Sequence, residues 1–175
     1  MAAVYTYGSL VAPATIAALV GRPAVAGRDF VRARLPGWSR TWNVCTDNTA
    51  DGPVAYEDPA DGSRPPIQVL FLTIEPGDAV EGVLIFLPDA ALPALDAREG
   101  NYLRVGVDVE GHGQAWTYVA KPESAERARR GIAAGTARIR RDYVETVEAA
   151  YGSHEGIPVL GPLPAPVVPL VRLRR

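Results

Sequence analysis

The first two-thirds of the chain alternates between short apolar segments and clusters of Gly, Pro and Asp. Apolar segments rich in β-branched and aromatic residues, bounded by such clusters, are typical of strands. Pro36-Gly37 and Glu75-Pro76-Gly77-Asp78 are predicted to form turns between neighbouring strands, and residues 110–113 to form the turn of a hairpin. The pattern predicts strands over 4–7, 30–35, 39–45, 68–74, 80–87, 102–109 and 114–120.

Helical spacing marks other segments, most of them late in the chain. Pro13 and Pro93 each fall in a first turn, where a helix tolerates proline, and Gly21 closes the first helix. In the final helical segment Arg138 and Asp142 are expected to form an i,i+4 ion pair. An apolar face is expected there from Ile139, Tyr143, Val147 and Ala150. The pattern predicts helices over 13–20, 90–98, 123–134 and 137–151.

Strands first and helices last indicate an α+β fold built on a mostly antiparallel, barrel-like sheet with a few short helices. The chain has 175 residues, which favours a single domain, predicted over residues 1–156. Residues 157–175 are rich in proline and are predicted to form an extended tail over that domain. The segment Asp47–Pro66 is dense in Asp, Gly and Pro, and both a mobile surface insert and a functional loop fit it.

Composition narrows the classes of protein. Hydrophobic residues make up 47% and charged residues 22% of the chain, as in ordinary folded proteins. A net charge of -2 argues against nucleic acid or an anionic membrane as a partner. A lone Cys45, no long apolar run and no signal peptide predict a cytoplasmic location. Lys121 is the single lysine among many arginines, which is typical of a GC-rich bacterial gene.

Glu99 is the first candidate for chemistry. It falls at the predicted end of a helix, where the helix dipole disfavours a carboxylate. That field, together with burial, would raise its pKa toward the range that a general base needs. A solvated glutamate at a helix end fits the same position.

The turn Tyr7-Gly8-Ser9-Leu10 is the second candidate. Gly8 is expected to adopt a conformation closed to other residues, so that successive N–H groups form a cradle for an anion. A plain strand-to-helix turn is the alternative. Ser9 does not fit a nucleophile, because the G-x-S-x-G pattern is absent and the histidines, His112 and His154, are expected on the surface. No Cys/His spacing predicts a metal site, and no cofactor is expected.

Several motifs occur together in a fixed order. They are Tyr7-Gly8-Ser9-Leu10 after an opening strand, Val80-Glu81-Gly82-Val83-Leu84, then Leu95-Asp96-x-x-Glu99-Gly100-x-Tyr102-x-Arg104, and Ala115-Trp116-Thr117-Tyr118. In order and spacing this set resembles the γ-glutamylcyclotransferase (AIG2-like) family, over roughly residues 4–151. Some members of that family carry a tyrosine at the start of the penultimate helix, and residues 131–135 here offer none.

The resemblance implies a function and a site. Glu99 matches the catalytic glutamate of the family, and Tyr7, Gly8, Ser9 and Leu10 match its γ-glutamyl-binding loop. Tyr102 and Tyr118 match aromatic positions that are candidates for substrate binding. The implied reaction converts a small γ-glutamyl amide or peptide to 5-oxoproline and a free amine, without a cofactor.

Two alternatives stay open at this point. Water in place of the substrate's own amine would make the protein a γ-glutamyl amide hydrolase. A catalytically silent domain of the same fold would bind a small acid or a protein. The leaving group is also open, with γ-glutamyl amino acids, γ-glutamyl-ε-lysine, glutathione and a protected biosynthetic intermediate as candidates. The Asp47–Pro66 segment is a candidate for shaping its pocket, and nothing in the pattern indicates an oligomeric state.

Overall fold

The computed structural model describes residues 1–158 and 160–174. Most of the strands join one mixed sheet, in which antiparallel pairing predominates, and β3 and β9 form a separate two-stranded sheet. The α+β class and the mostly antiparallel sheet predicted from the sequence are confirmed. In chain order the elements are β1 (Ala2–Thr6), α1 (Pro13–Val20), β2 (Phe30–Asp47), β3 (Val54–Glu57), β4 (Gln68–Leu87), α2 (Leu92–Arg98), β5 (Tyr102–Val109), β6 (Gly113–Ala120), α3 (Pro122–Ala133), β7 (Ala137–Arg140), α4 (Arg141–Gly152), β8 (Val167–Val168) and β9 (Val171–Arg174).

The antiparallel pair of β2 and β4 is the main element of the fold. Two turns predicted from the sequence lie within these strands, and both predictions are wrong. Pro36-Gly37 and Pro76-Gly77 do not reverse the chain, because each lies inside one long continuous strand. The two dipeptides lie nearly opposite each other, and the register of the ladder shifts between Pro36 and Trp38. The long strands therefore bend at a bulge. The residue composition of one segment alone does not distinguish a bulge from a hairpin turn.

Strand β4 also carries the site, through its second edge. One edge pairs with β2 along its length, and the other pairs with β1 from Val83 to Leu87 and with β7 from Gln68 to Leu70. Between Leu70 and Val83 that second edge has no strand partner within the described residues. A gap in strand pairing therefore opens at the middle of the sheet, and side chains satisfy the backbone groups there.

Two apolar cores lie on opposite faces of the sheet. Val4 packs in the core between the sheet and the helices, whereas its neighbour Tyr5 packs in the core on the other face. This follows from the two-residue period of a strand. On the second face the hairpin of β5 and β6 reaches β2, since the Glu110 N–H donates to the Arg34 carbonyl at 3.1 Å. The sheet thus curves back on itself, as a barrel-like sheet requires.

Predicted ends of elements hold where a cap decides them. Helix α1 begins at Pro13 and ends before Gly21, which has φ +73°. The last predicted helix is wrong in its first turn, because Ala137–Arg140 forms β7 beside β4. Arg138 therefore makes no i,i+4 pair, and Asp142 pairs with Arg140 instead.

The Asp47–Pro66 segment packs in part against the interior of the protein. It contains β3, whose Tyr56 is 2% exposed. The buried Asn48 side chain holds this strand, because its amide donates to the Tyr56 carbonyl at 2.9 Å and its oxygen accepts from the Tyr56 N–H at 2.8 Å. Strand β3 pairs with β9, so the segment and the end of the chain form one structural unit. The predicted division at residue 156 stays a prediction.

Candidate active site

Glu99 lies at the junction of α2 and β5. Its N–H donates to the Leu95 carbonyl at 2.9 Å, and its carbonyl accepts from the Tyr102 N–H at 2.8 Å, so both neighbouring elements fix its position. The side chain is 15% exposed, and Arg98 Nε lies 3.3 Å from Glu99 Oε1. Burial raises the pKa of the Glu99 carboxyl, and the Arg98 charge lowers it more weakly. The position is therefore suited to a proton acceptor that works closer to neutral pH than an ordinary glutamate.

The opening turn lies across from this carboxyl. After β1 the chain makes a short 3-10 helix, Ser9–Val11, in which the Val11 N–H donates to the Gly8 carbonyl at 3.1 Å. Within the described residues, no group accepts a hydrogen bond from the backbone N–H of Gly8, Ser9 or Leu10. These N–H groups are the donors that the sequence predicts for an anion.

The conformation of Gly8 is unusual without being left-handed, with ψ -142°. Gly8 has φ -124° and is not among the left-handed glycines. A Cβ built on Gly8 would meet one side-chain atom, Tyr143 Oη, at 3.8 Å, which is ordinary van der Waals contact. The packing of the protein itself does not require glycine here. The missing side chain leaves room in front of the turn.

A small inner pocket of about 30 Å³ lies between the turn and Glu99. The residues predicted for the site from the sequence all line it, and the structure therefore brings the two halves of the predicted site together. These residues are Tyr7, Gly8, Ser9, Leu10, Glu99, Tyr102 and Tyr118. The others that line it are Tyr5, Thr6, Leu72 and Tyr143.

The tyrosines of this pocket differ in how their hydroxyl groups are used. The Tyr102 hydroxyl donates to the Leu72 carbonyl at 2.9 Å, on the unpaired edge of β4. The Tyr118 hydroxyl donates to Asp96 Oδ1 at 2.8 Å, and the Tyr7 hydroxyl donates to the Tyr118 carbonyl. Burial raises the pKa of each of these hydroxyls, so all are protonated at neutral pH. Each of these hydroxyl protons already forms a hydrogen bond within the protein, so it is not available to a ligand.

Tyr143 is different. Its hydroxyl oxygen accepts from the Leu72 N–H at 3.4 Å, and burial raises its pKa, so the group keeps its proton. Within the described residues, no atom accepts that proton. Tyr143 is thus a hydroxyl donor available to a ligand in this pocket.

Sequence reasoning missed this role for Tyr143. The residue was assigned to the apolar face of the last helix, and its phenyl ring does pack against Trp42 and Phe71. A tyrosine has an apolar body and a polar tip, so the periodicity that places the ring says nothing about the hydroxyl. A signal was available in the inward face of α4, because two of its residues, Tyr143 and Tyr151, carry a polar hydroxyl.

A larger outer cleft of about 930 Å³ opens from the inner pocket, and the two share Ser9, Glu99, Tyr102 and Tyr143. The Asp47–Pro66 segment forms one wall, with residues from Asp47 to Tyr56. Charged side chains line the cleft: Asp47, Arg98, Glu99, Arg127, Arg140 and Arg172. Glu99 thus stands between a tyrosine-lined pocket and an arginine-lined cleft.

None of the helices in the described part of the chain has the length and apolar character of a membrane span.

Comparison with solved structures finds proteins that resemble this chain. A solved structure named gamma-glutamyl cyclotransferase is 16% identical, with a TM-score of 0.55, and the match covers 90% of this chain and 81% of that one, which shows a shared fold. A protein from Arabidopsis thaliana, known from a solution structure, is 26% identical with a TM-score of 0.44, over 70% of this chain and 66% of that one.

No curated protein matches the chain. The family model described as gamma-glutamyl cyclotransferase, AIG2-like, matches residues 4–136, which is most of the chain. These residues include the opening turn, Glu99, Tyr102 and Tyr118. The chain therefore belongs to the gamma-glutamyl cyclotransferase, AIG2-like family.

Proposed function

We propose that this protein converts a small γ-glutamyl amide or peptide to 5-oxoproline and a free amine, with Glu99 as general base and then general acid. The observation that carries the proposal is the position of the Glu99 carboxyl. It is largely buried, its pKa is raised, and it is shared by the inner pocket and the outer cleft. Family membership supports the same class of reaction.

The reaction needs little from the protein beyond geometry and proton movement, because the nucleophile and the electrophile belong to one molecule. The substrate's α-ammonium first loses a proton to the Glu99 carboxylate. An α-amine titrates near 8 and an ordinary glutamate near 4.3, so the unassisted transfer is uphill by about 5 kcal/mol. Burial that raises the pKa of Glu99 reduces this cost.

The neutral α-amine then attacks the γ-carbonyl carbon, and a carbon–nitrogen bond forms while the carbonyl oxygen gains negative charge. The N–H groups of Gly8, Ser9 and Leu10 are available as donors to this oxyanion or to the substrate's α-carboxylate. Such a donor contributes roughly 3–4 kcal/mol to the transition state in comparable sites. Protonated Glu99 gives its proton to the leaving nitrogen and takes the second proton from the attacking nitrogen. The original amide bond breaks, the carbonyl forms again, and the neutral five-membered lactam remains. The released amine then takes this second proton from Glu99, which regenerates the carboxylate.

The volumes favour one arrangement of the substrate. The inner pocket of about 30 Å³ has room for about one water molecule, so the γ-glutamyl group is expected at its mouth. Glu99 and Tyr143 line both spaces at that point, and the outer cleft extends beyond them. We therefore expect the scissile bond beside Glu99 and the leaving group in the arginine-lined cleft.

The test is incubation of the purified protein with a panel of γ-glutamyl peptides and amines, with 5-oxoproline and glutamate both quantified. Formation of 5-oxoproline by the wild-type protein, lost in Glu99→Gln, is the expected result. Glutamate as the product would replace the proposal with hydrolysis. Binding without any product would replace it with a silent domain of the same fold.

A further inference from the structure

The outer cleft carries an excess of positive charge that the proposed chemistry does not use. Its lining includes four arginines, Arg98, Arg127, Arg140 and Arg172, against two carboxylates, Asp47 and Glu99. The arginines come from α2, α3, β7 and β9, so separate parts of the fold direct cations toward one space. The protein as a whole has a net charge of -2, so this local excess runs against the overall balance.

Two of these arginines are already engaged within the protein. Arg98 lies 3.3 Å from the Glu99 carboxylate. Arg140 pairs with Asp142, and its guanidinium lies 5.1 Å from the centre of the Tyr56 ring. Neighbouring groups therefore largely compensate the charges of these two arginines, which form part of the wall of the cleft.

The charge of Arg127 is not compensated by a paired carboxylate. Within the described part of the chain, no carboxylate oxygen lies within 4.0 Å of its guanidinium, and its buried Nε has no hydrogen-bond partner. Its guanidinium lies beside the thiol of Cys45, while the Asp47 carboxylate acts on it from farther away. A half-buried guanidinium without a contact anion is costly, and a bound anion would remove that cost.

Arg172 supplies a second cation from the end of the chain. It lies on β9, which pairs with β3, and this pairing brings Arg172 opposite Tyr56 at the wall of the cleft. Among the described residues, no carboxylate oxygen pairs with Arg172. The proline-rich tail therefore contributes to the cleft itself, through the small sheet that it forms with the Asp47–Pro66 segment.

Resting on the proposed function, we propose that the leaving group of the substrate carries a carboxylate, bound by Arg127 and Arg172 in the outer cleft. The substrates are then γ-glutamyl amides of α-amino acids or short peptides. In the intact substrate the leaving group bears a carboxylate, and its own nitrogen is an uncharged amide, so no cation offsets that charge. Neutral γ-glutamyl amines lack that group. In γ-glutamyl-ε-lysine the free α-ammonium offsets the carboxylate, so attraction to the arginines is weaker.

The experiment compares γ-glutamylalanine, γ-glutamylalaninamide and γ-glutamyl-ε-lysine as substrates of the wild-type protein, with 5-oxoproline as the readout. The acid and the amide differ in one charged group, so the ratio of their kcat/KM values isolates that group. We expect the acid to exceed the amide by about tenfold to hundredfold, and the preference to shrink as salt screens the arginines.

The ratio is then measured in three variants. In Arg127→Gln it is expected to fall toward one, and in Arg127→Lys to recover in part, because lysine keeps the charge and loses the forked geometry. Arg129→Gln is the matched control on the same helix. Arg129 is 61% exposed and pairs with Glu126 at 2.7 Å, outside the cleft, so the ratio is expected to stay at the wild-type value. A ratio compared within each variant does not depend on how much of that variant is folded.

Failure of the inference is distinguishable from failure of the proposed function. Formation of 5-oxoproline from acid and amide at equal rates, or a preference for γ-glutamyl-ε-lysine, overturns the inference and leaves the cyclotransferase standing. If no substrate yields 5-oxoproline, the proposed function fails. In that case the wild-type protein leaves the ligands intact, and calorimetry tests the inference by itself. Tighter binding of γ-glutamylalanine than of γ-glutamylalaninamide supports the inference, and equal binding of the two overturns it.

Discussion

Tyr143 and Gly8 face each other across the inner pocket, with Tyr143 Oη 3.8 Å from the point where a Cβ on Gly8 would lie. One residue is in the first turn of the last helix and the other follows the first strand. Further contacts fasten these two regions together. The Tyr151 hydroxyl donates to the Tyr7 carbonyl, and His154 Nε2 lies 2.6 Å from the Val11 carbonyl oxygen. The shape of the pocket therefore depends on packing between the start of the chain and the region of α4.

The side chain of Glu99 is expected to be essential for turnover. Glu99→Gln keeps the shape and removes the proton acceptor, so kcat should fall on the order of 100-fold to 10,000-fold. The check is initial rates of 5-oxoproline formation, with circular dichroism to verify the fold. Glu145→Gln, which alters an exposed glutamate on α4, is the control and should match the wild type. Near wild-type turnover in a folded Glu99→Gln protein would exclude Glu99 as the base.

The raised pKa of Glu99 predicts a pH dependence of stability with a definite sign. The folded carboxyl binds its proton more tightly than the unfolded one, so its ionisation opposes folding. Its contribution to stability is fully present below a pH of about 4.3, the pKa in the unfolded chain, and is lost as the pH rises through the folded pKa. Glu99→Gln should therefore match the wild type in melting temperature at low pH and exceed it at neutral pH. A variant less stable than the wild type at neutral pH would contradict this sign.

The same pKa predicts the acid limb of the pH–rate profile. Because the base form of Glu99 is needed, kcat/KM should fall as the pH drops through the raised pKa of this carboxyl. Measurement of kcat/KM from pH 4 to pH 9 with one substrate gives the midpoint. A midpoint at the ordinary glutamate value, near 4.3, would mean that burial does not tune this group.

The Tyr143 hydroxyl is expected to bind substrate. Tyr143→Phe removes the donor and keeps the ring that packs against Trp42 and Phe71, so kcat/KM should fall roughly twofold to tenfold. The melting temperature should change little, because the lost contact with the Leu72 N–H is long, at 3.4 Å. Unchanged kcat/KM with every substrate would remove Tyr143 from the binding site.

Gly8 should tolerate alanine in the fold and not in the reaction. A Cβ at this position makes an ordinary contact, so Gly8→Ala should keep the fold, which circular dichroism verifies. The methyl group would project into the space in front of the turn, and displacement of the reacting carbonyl by about 1 Å can cost on the order of 100-fold in rate. Gly152→Ala, at the end of α4 with open space around it, is the control for activity and stability. A fully active Gly8→Ala protein would show that substrate does not approach the turn.

Gly82 is expected to be required by the fold itself. A Cβ there would lie 2.3 Å from the Thr6 carbonyl oxygen and 2.7 Å from Tyr5 Oη, where β1 crosses close to β4. Gly82→Ala must push the two strands apart, which should lower the free energy of unfolding by about 1–3 kcal/mol or more. Gly106→Ala in β5, whose nearest neighbour is a Trp116 ring atom at 4.0 Å, is the matched control. Urea titration of both variants measures the difference, and equal midpoints would contradict the prediction.

Local signals predicted those parts of the fold that local signals control. The hairpin of β5 and β6 follows from alternating apolar residues around Gly111 and Gly113, both of which have positive φ. The predictions for the long strands β2 and β4 were wrong because local signals do not control these strands. Pro36-Gly37 and Pro76-Gly77 carry ordinary turn composition, and the partner strand decides between a turn and a bulge. In the same way, the place beside β4 made Ala137–Arg140 a strand, although its residues also suit a helix.

The sequence by itself determined the family and the fold class, because ordered motifs, periodicity and caps occur along the chain. It also predicted residues that line one pocket, and their roles stay a prediction. Tertiary structure decided what those residues surround. It placed the Tyr143 hydroxyl opposite Gly8, left the β4 edge open at Leu72, and brought Arg127 and Arg172 to one cleft. Each of these depends on residues far apart in sequence. Charge and hydroxyl groups act over a few ångströms in space, and a linear pattern does not encode which of them will share that space.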